Sequence, residues 1–154
     1  MNPDDFRAEV IDPVLRLLDL YSRAASNLLL GTALVESNLT HRRQIGGGPA
    51  RGLFQIEPAT FHDVYRRYLP RRTGLLCCVN GLLMPNRTPG EQLFDNDRLG
   101  CAIARLKYWM CPLSLPCADD APALAAYWVR HYNAGGAGTV EKFLAAYRRA
   151  GCPR

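Results

Sequence analysis

Residues 22–37 read SRAASNLLLGTALVES, and this stretch decides the fold. Leu28, Leu29, Leu30, Ala33 and Leu34 recur at helical spacing. Ser22 stands where its hydroxyl can accept a hydrogen bond from the first turn. The spacing predicts a helix from Ser22 to about Glu36, apolar enough to be buried. A carboxylate, Glu36, closes it.

Working outward, residues 6–20 carry Val10, Ile11, Val14, Leu15, Leu17 and Leu18 at the same period. Pro13 sits inside them, so that helix either starts or kinks there. Downstream, Gly46-Gly47-Gly48-Pro49 marks a loop. The short apolar segment Gly52-Leu53-Phe54-Gln55-Ile56 reads as a strand or a buried extended segment. Pro58 suits the first turn of a helix reaching about Tyr68. Gly74, Gly81, Pro85 and Pro89 make residues 70–89 loop-rich, a candidate lid, docking loop or insertion. Further helices are expected over residues 95–110, from Asp119 or Asp120 to about Tyr132, and from Thr139 to about Arg149. Trp109 and Trp128 stand at core spacing, although aromatic rings also stack on sugars. The reading is a mainly α single domain over residues 1–154, with little strand.

Composition narrows the function classes. Hydrophobic residues at 48% and charged residues at 21% describe a globular chain with a core. No apolar run reaches the ~18 residues that would span a bilayer, so no membrane insertion is expected. The opening MNPDDFRAEV lacks a basic segment followed by an apolar one, so it does not read as a signal peptide. Cytoplasmic synthesis follows, with another route to any cell wall. The net charge of +5 favours anionic partners, yet arginine doublets such as Arg42-Arg43 and Arg71-Arg72 are scattered. No basic block of the nucleic-acid-binding kind is present, and nucleic acid is not an expected partner. The cysteines Cys77, Cys78, Cys101, Cys111, Cys117 and Cys152 lack zinc spacing. They read either as free or core thiols or as one or two disulfides formed outside the cytoplasm. No metal and no cofactor is expected. No Ser-His-Asp order and no phosphate-cradling glycine loop is apparent.

Three segments carry chemistry. Glu36-Ser37 ends the apolar helix, where desolvation would keep the carboxyl protonated as a general acid needs, although by position alone it also reads as an ordinary solvated Glu at a helix end. Gly52-Leu53-Phe54-Gln55 and Tyr132-Asn133 before Gly135 follow in order. Together they resemble the signatures of the soluble lytic transglycosylase and goose-type lysozyme family: Glu-Ser, Gly-Leu-Met-Gln and Ala-Tyr-Asn. Phe54 replaces Met and His131 replaces Ala. Asn96-Asp97-Arg98-Leu99-Gly100 is similar to the family's Asn-Ile-x-x-Gly. The resemblance covers about residues 28–140.

That resemblance implies a lysozyme-like α domain with a peptidoglycan-binding groove. It also implies cleavage of the β-1,4 bond between N-acetylmuramic acid and N-acetylglucosamine. Glu36 would protonate the leaving oxygen, then deprotonate the muramoyl C6 hydroxyl to close a 1,6-anhydro ring. Ser37 would orient N-acetyl or glycan groups, and Gln55 would bind sugar through its amide. Leu53 and Phe54 would shape the groove floor, and Gly52 would allow close backbone approach. Tyr132 would hydrogen-bond near Glu36, and Asn133 would contact the muramoyl unit. His131 adjoins this signature and is a further candidate for the groove.

Glu57 departs from the transglycosylase pattern. Goose-type lysozymes carry an acidic residue there, so Glu57 is a candidate second carboxylate for hydrolysis. It can equally support the helix starting at Pro58, or face solvent. The expected partner is peptidoglycan. Small members of this group often look phage-encoded, acting as endolysins or virion-associated enzymes. The competing class is a non-catalytic glycan-binding or virion structural module on the same fold.

Overall fold

The computed structural model describes residues 1–151, which form helices linked by short loops with no extended sheet. Cys152 lies outside the described residues. Helix α1 spans residues 3–17 as one rod in three parts: Pro3–Phe6, a π turn Arg7–Ile11, and Asp12–Leu17. The helix therefore neither starts nor stops at Pro13. Widening of the turn before it lets the Asp12 N–H reach the Arg7 carbonyl, where a proline would otherwise crowd the ladder.

Helix α2, Arg23–Ser37, is the central element. Ser22 caps it by accepting from the Ala25 N–H at 3.0 Å. Asn38 ends it in the left-handed conformation, φ 51°. Leu28, Leu29 and Leu30 are all buried, each worth about 1.5–3 kcal/mol relative to exposure. A helix apolar on every side must be surrounded, and α2 packs against α1 and against the three later helices α6, Asp97–Trp109, α7, Ala121–His131, and α8, Val140–Arg149. Its polar residues are all tied. Arg7 donates to Ser26 Oγ at 2.7 Å and to Asn27 Oδ1 at 2.8 Å, and Thr32 meets the Tyr108 hydroxyl at 2.8 Å.

Between α2 and the next helix lies a compact turn. Residues 52–56 are not a strand; single antiparallel bridges join Arg43 to Arg51 and Arg51 to Ile56, and the chain reverses between them. Gly52 (φ 72°) and Gln55 (φ 45°) supply the left-handed residues that the reversal needs. Helix α3 follows over residues 58–71, opened by Pro58.

The expected loop at residues 70–89 is in part helical. Helix α4 covers Thr73–Asn80, with Gly74 in its first turn and Gly81 at its end, so these glycines bracket a helix rather than replace it. Leu75, Leu76, Leu82 and Leu83 pack on the core. Helix α5, Pro89–Gln92, opens with a capping box between Thr88 and Glu91. Buried Gln92 then binds Met84 and Arg87 backbone groups, pinning the segment down. It is a folded part of the domain, not a free lid.

Asn96, Asp120 and Thr139 cap α6, α7 and α8. Trp128 is buried, whereas Trp109 is 47% exposed because α6 ends at that residue beyond the packed layer. All five described cysteines are free thiols. Among the described residues no helix is long and apolar enough to cross a membrane.

Gly31 marks the closest approach of α2 and α8: a Cβ there would overlap the ring of fully buried Phe143. Gly31→Ala should therefore destabilise the domain by about 1–3 kcal/mol through overpacking. A urea unfolding curve with an unchanged midpoint would show that the ring yields freely.

Candidate active site

A cleft of about 780 Å³ opens where the end of α2, the 41–57 turn, Lys107 of α6, the end of α7 and the 133–138 loop meet. Glu36, Gln55, Glu57, Lys107, Trp128, His131 and Asn133 all line it. Glu36 comes from the last turn of the buried helix, so its carboxyl sits at the boundary between core and cleft. Trp128 donates its indole N–H to Glu36 Oε1 at 3.1 Å. Burial pushes the Glu36 carboxyl above its ordinary value of 4.5. Hydrogen bonds from Trp128 and Asn133 and the charge of Lys107 partly offset that rise, while Glu57 adds to it.

The 133–138 loop is shaped around these donors. Asn133 Oδ1 accepts from the Gly138 N–H at 2.9 Å, which leaves its amide N–H for Glu36. Any Cβ at Gly136 would strike Asn133, and one at Gly138 would strike Trp128 and Asn133. The glycines thus let the backbone close over both side chains that hold the carboxyl.

Tyr132 ends α7 with its ring buried against Tyr108, centroids 5.2 Å apart. Its hydroxyl donates to the Phe54 carbonyl at 2.7 Å, not to Glu36. Tyr132 thereby ties the turn at residues 52–56 to the helix that carries Trp128.

Ser37, Leu53 and Phe54 stand away from the cleft. The Ser37 hydroxyl is buried, with its single proton shared between the Ala33 and Leu53 carbonyls at 2.9 and 2.7 Å, so it is not free to orient a glycan. Leu53 and Phe54 point into the core, Phe54 against Phe6 at 5.9 Å, and do not form the groove floor. The physical reason is the reversal at Gly52: it turns these two inward and delivers Gln55 and Ile56 to the cleft. Gly52 does permit close approach, though to protein. A Cβ there would collide with the Leu93 carbonyl.

Gln55 donates its amide to the Gly52 carbonyl at 2.8 Å and to the His41 carbonyl at 3.2 Å. Its orientation is fixed and its carbonyl oxygen remains for a ligand. Glu57 is exposed on the same cleft. It precedes Pro58 without capping α3 through its side chain. His131 reaches the cleft while its ring packs on Tyr127 at 4.4 Å and beside Cys111 Sγ at 3.5 Å. Burial lowers its pKa, as does Arg130.

Two cleft residues escape motif reading. Trp128 lies one helical turn before Tyr132 and so shares its face. Lys107 follows Leu99 and Ile103 on the apolar stripe of α6, an irregularity in the hydrophobic pattern. Among the described residues no group of three or more His, Cys, Asp or Glu is placed to hold a metal ion.

No protein-family model matches the chain, and no curated protein or solved structure matches it significantly.

The raised Glu36 pKa has a consequence for stability. A carboxyl whose folded pKa exceeds its unfolded value stabilises the fold below that unfolded value. This contribution is lost as pH rises through the folded pKa. Glu36→Gln should therefore match the parent protein in acid and become the more stable of the two as pH climbs past 4.5. Thermal melts across pH test this, and a parent protein as stable as the variant at neutral pH would contradict the burial of the charge.

Proposed function

We propose that the chain is a lysozyme-like peptidoglycan lytic transglycosylase with Glu36 as its acid and then its base. The observation that carries the reading is one carboxyl, desolvated and raised in pKa, in the wall of a cleft that also holds a sugar-compatible amide, Gln55. A general acid working near neutrality needs that combination. The substrate is the glycan strand of peptidoglycan, cut between N-acetylmuramic acid and N-acetylglucosamine. Proton transfer from Glu36 accompanies rupture of the bond to the leaving oxygen. The resulting carboxylate then removes the C6 hydroxyl proton as the 1,6-anhydro ring closes. The biological setting that fits is bacterial cell-wall degradation by a phage, as an endolysin or a virion-associated enzyme.

A second reading keeps the bond and changes the acceptor. Glu57 shares the cleft with Glu36, faces solvent and raises the Glu36 pKa by its charge. Two carboxylates on one cleft are the equipment of a goose-type muramidase, with Glu57 activating water.

Digestion of purified sacculi tests both. Glu36→Gln should fold and lose cleavage by about 10²–10⁴-fold; turnover near the parent rate would remove Glu36 from the chemistry. Products one water lighter than reducing-end fragments are expected, with Glu57→Gln still active. Reducing ends throughout, abolished by Glu57→Gln, would establish the hydrolase instead. Sacculus binding without cleavage by the parent protein would leave a glycan-binding module.

A further inference from the structure

Lys107 brings a cation to the wall that Glu36 and Glu57 share. It is one of the chain's two lysines, the other being Lys142. Its position is fixed from two directions. Nζ donates to the Tyr132 carbonyl at 2.7 Å and stands 4.1 Å from the centre of the Tyr132 ring. Tyr132 in turn is locked through its hydroxyl to the Phe54 carbonyl. A long, flexible side chain is thus held as a fixed charge on the axis that also carries Trp128.

We propose that Lys107 is a positioning residue for the acid–base cycle: a fixed cation that stabilises the Glu36 carboxylate formed when its proton leaves. The inference rests on the proposed function. In that cycle the Glu36 proton passes to the glycosidic oxygen as its bond to C1 breaks. The carboxylate later takes the C6 hydroxyl proton as the new C1–O6 bond forms. Lys107 gives and takes no proton. It makes the intermediate anion tolerable in a site where burial opposes charge.

The electrostatics of the cleft agree with this geometry. Lys107 favours the ionised form of Glu36, and both Glu36 and Glu57 favour the ammonium that burial disfavours. Tyr108 and Tyr132, packed against the same wall, are held neutral by burial. His131 enters from α7, and His41, Arg43 and Lys142 line the cleft from the turn and from α8. The charge of Lys107 opposes the rise that burial imposes on the Glu36 carboxyl.

Lys107→Gln keeps a donor for the Tyr132 carbonyl and removes the charge; Lys107→Arg keeps both. On purified sacculi, K107Q should lose at least about tenfold in kcat/KM at neutral pH. The alkaline limb of its pH profile should move to higher pH, because Glu36 holds its proton more tightly. The deficit therefore shrinks as pH rises. K107R should restore the parent profile. A purely structural role for Lys107 would lower activity by the same factor at every pH, with the limb unmoved, and that result overturns the inference. If K107Q does not fold, K107M takes its place in the same half-buried slot and is read the same way. Glu36→Gln run alongside separates the two failures. An active E36Q defeats the proposed function, whereas an inactive E36Q with an unmoved K107Q limb defeats only the role of Lys107.

Discussion

Helix α2 is buried on nearly every side, and the carboxyl of Glu36 leaves water only because the helix that carries it does. The rest of the domain is arranged around that constraint. Helices α1, α6, α7 and α8 exist as a shell for an apolar rod, and their amphipathic faces are what the rod requires. Where α2 emerges, the shell cannot close over a charge without cost. It therefore ends in two hydrogen-bond donors, the Trp128 indole and the Asn133 amide, with the charge of Lys107 acting alongside them. Core formation and site formation are the same event here. Leu34 packs inward one turn before Ser37 locks the turn at Leu53, and Glu36 is left between them facing the cleft.

Much of this was legible in the residues. The caps Ser22, Asn96, Asp120 and Thr139 stand where local chemistry puts them, because a side-chain oxygen before an apolar periodic run has few other uses. Glu36 at the close of an apolar run also fits an ordinary solvated helix end; what singles it out is the order of Glu36-Ser37, Gly52 to Gln55 and Tyr132-Asn133, through the family resemblance. The failures are equally physical. Pro13 was absorbed by a π turn, which periodicity does not encode. Residues 73–80 form a helix despite Gly74 because their leucines and Val79 find the core, and tertiary packing overrides propensity. For Ser37, Leu53 and Phe54 the family resemblance implies contact with a ligand. The left-handed geometry of Gly52 and Gln55 reverses that inference.

Those three residues now have a different physical meaning. The Ser37 hydroxyl bridges the end of α2 to the turn, and the Tyr132 hydroxyl bridges the turn to the end of α7. Two buried hydrogen bonds therefore set the spacing between the carboxyl and the Gln55 amide, with no bond made directly between those two groups. Each bond satisfies a carbonyl that the tight turn would otherwise bury unpaired. The short motifs of this chain are in large part a scaffold that delivers Glu36, Gln55 and Glu57 to one cleft.

The same economy governs the electrostatics. Under the proposed acid–base cycle, Glu36 must be held protonated at rest, which needs desolvation, and must also let the proton go, which needs compensating charge. Either demand alone is met by simple burial or by simple exposure. Both together require a donor set graded by distance: close hydrogen bonds that orient the carboxyl, and a cation anchored to something else. Lys107 satisfies the second condition because its ammonium is anchored by a hydrogen bond to the Tyr132 carbonyl. A direct ion pair with Glu36 would drive the carboxyl to full ionisation and remove the acid. In the proposed cycle, the anchoring of Lys107 on Tyr132 would let a raised Glu36 pKa and a stabilised anion coexist in one cleft.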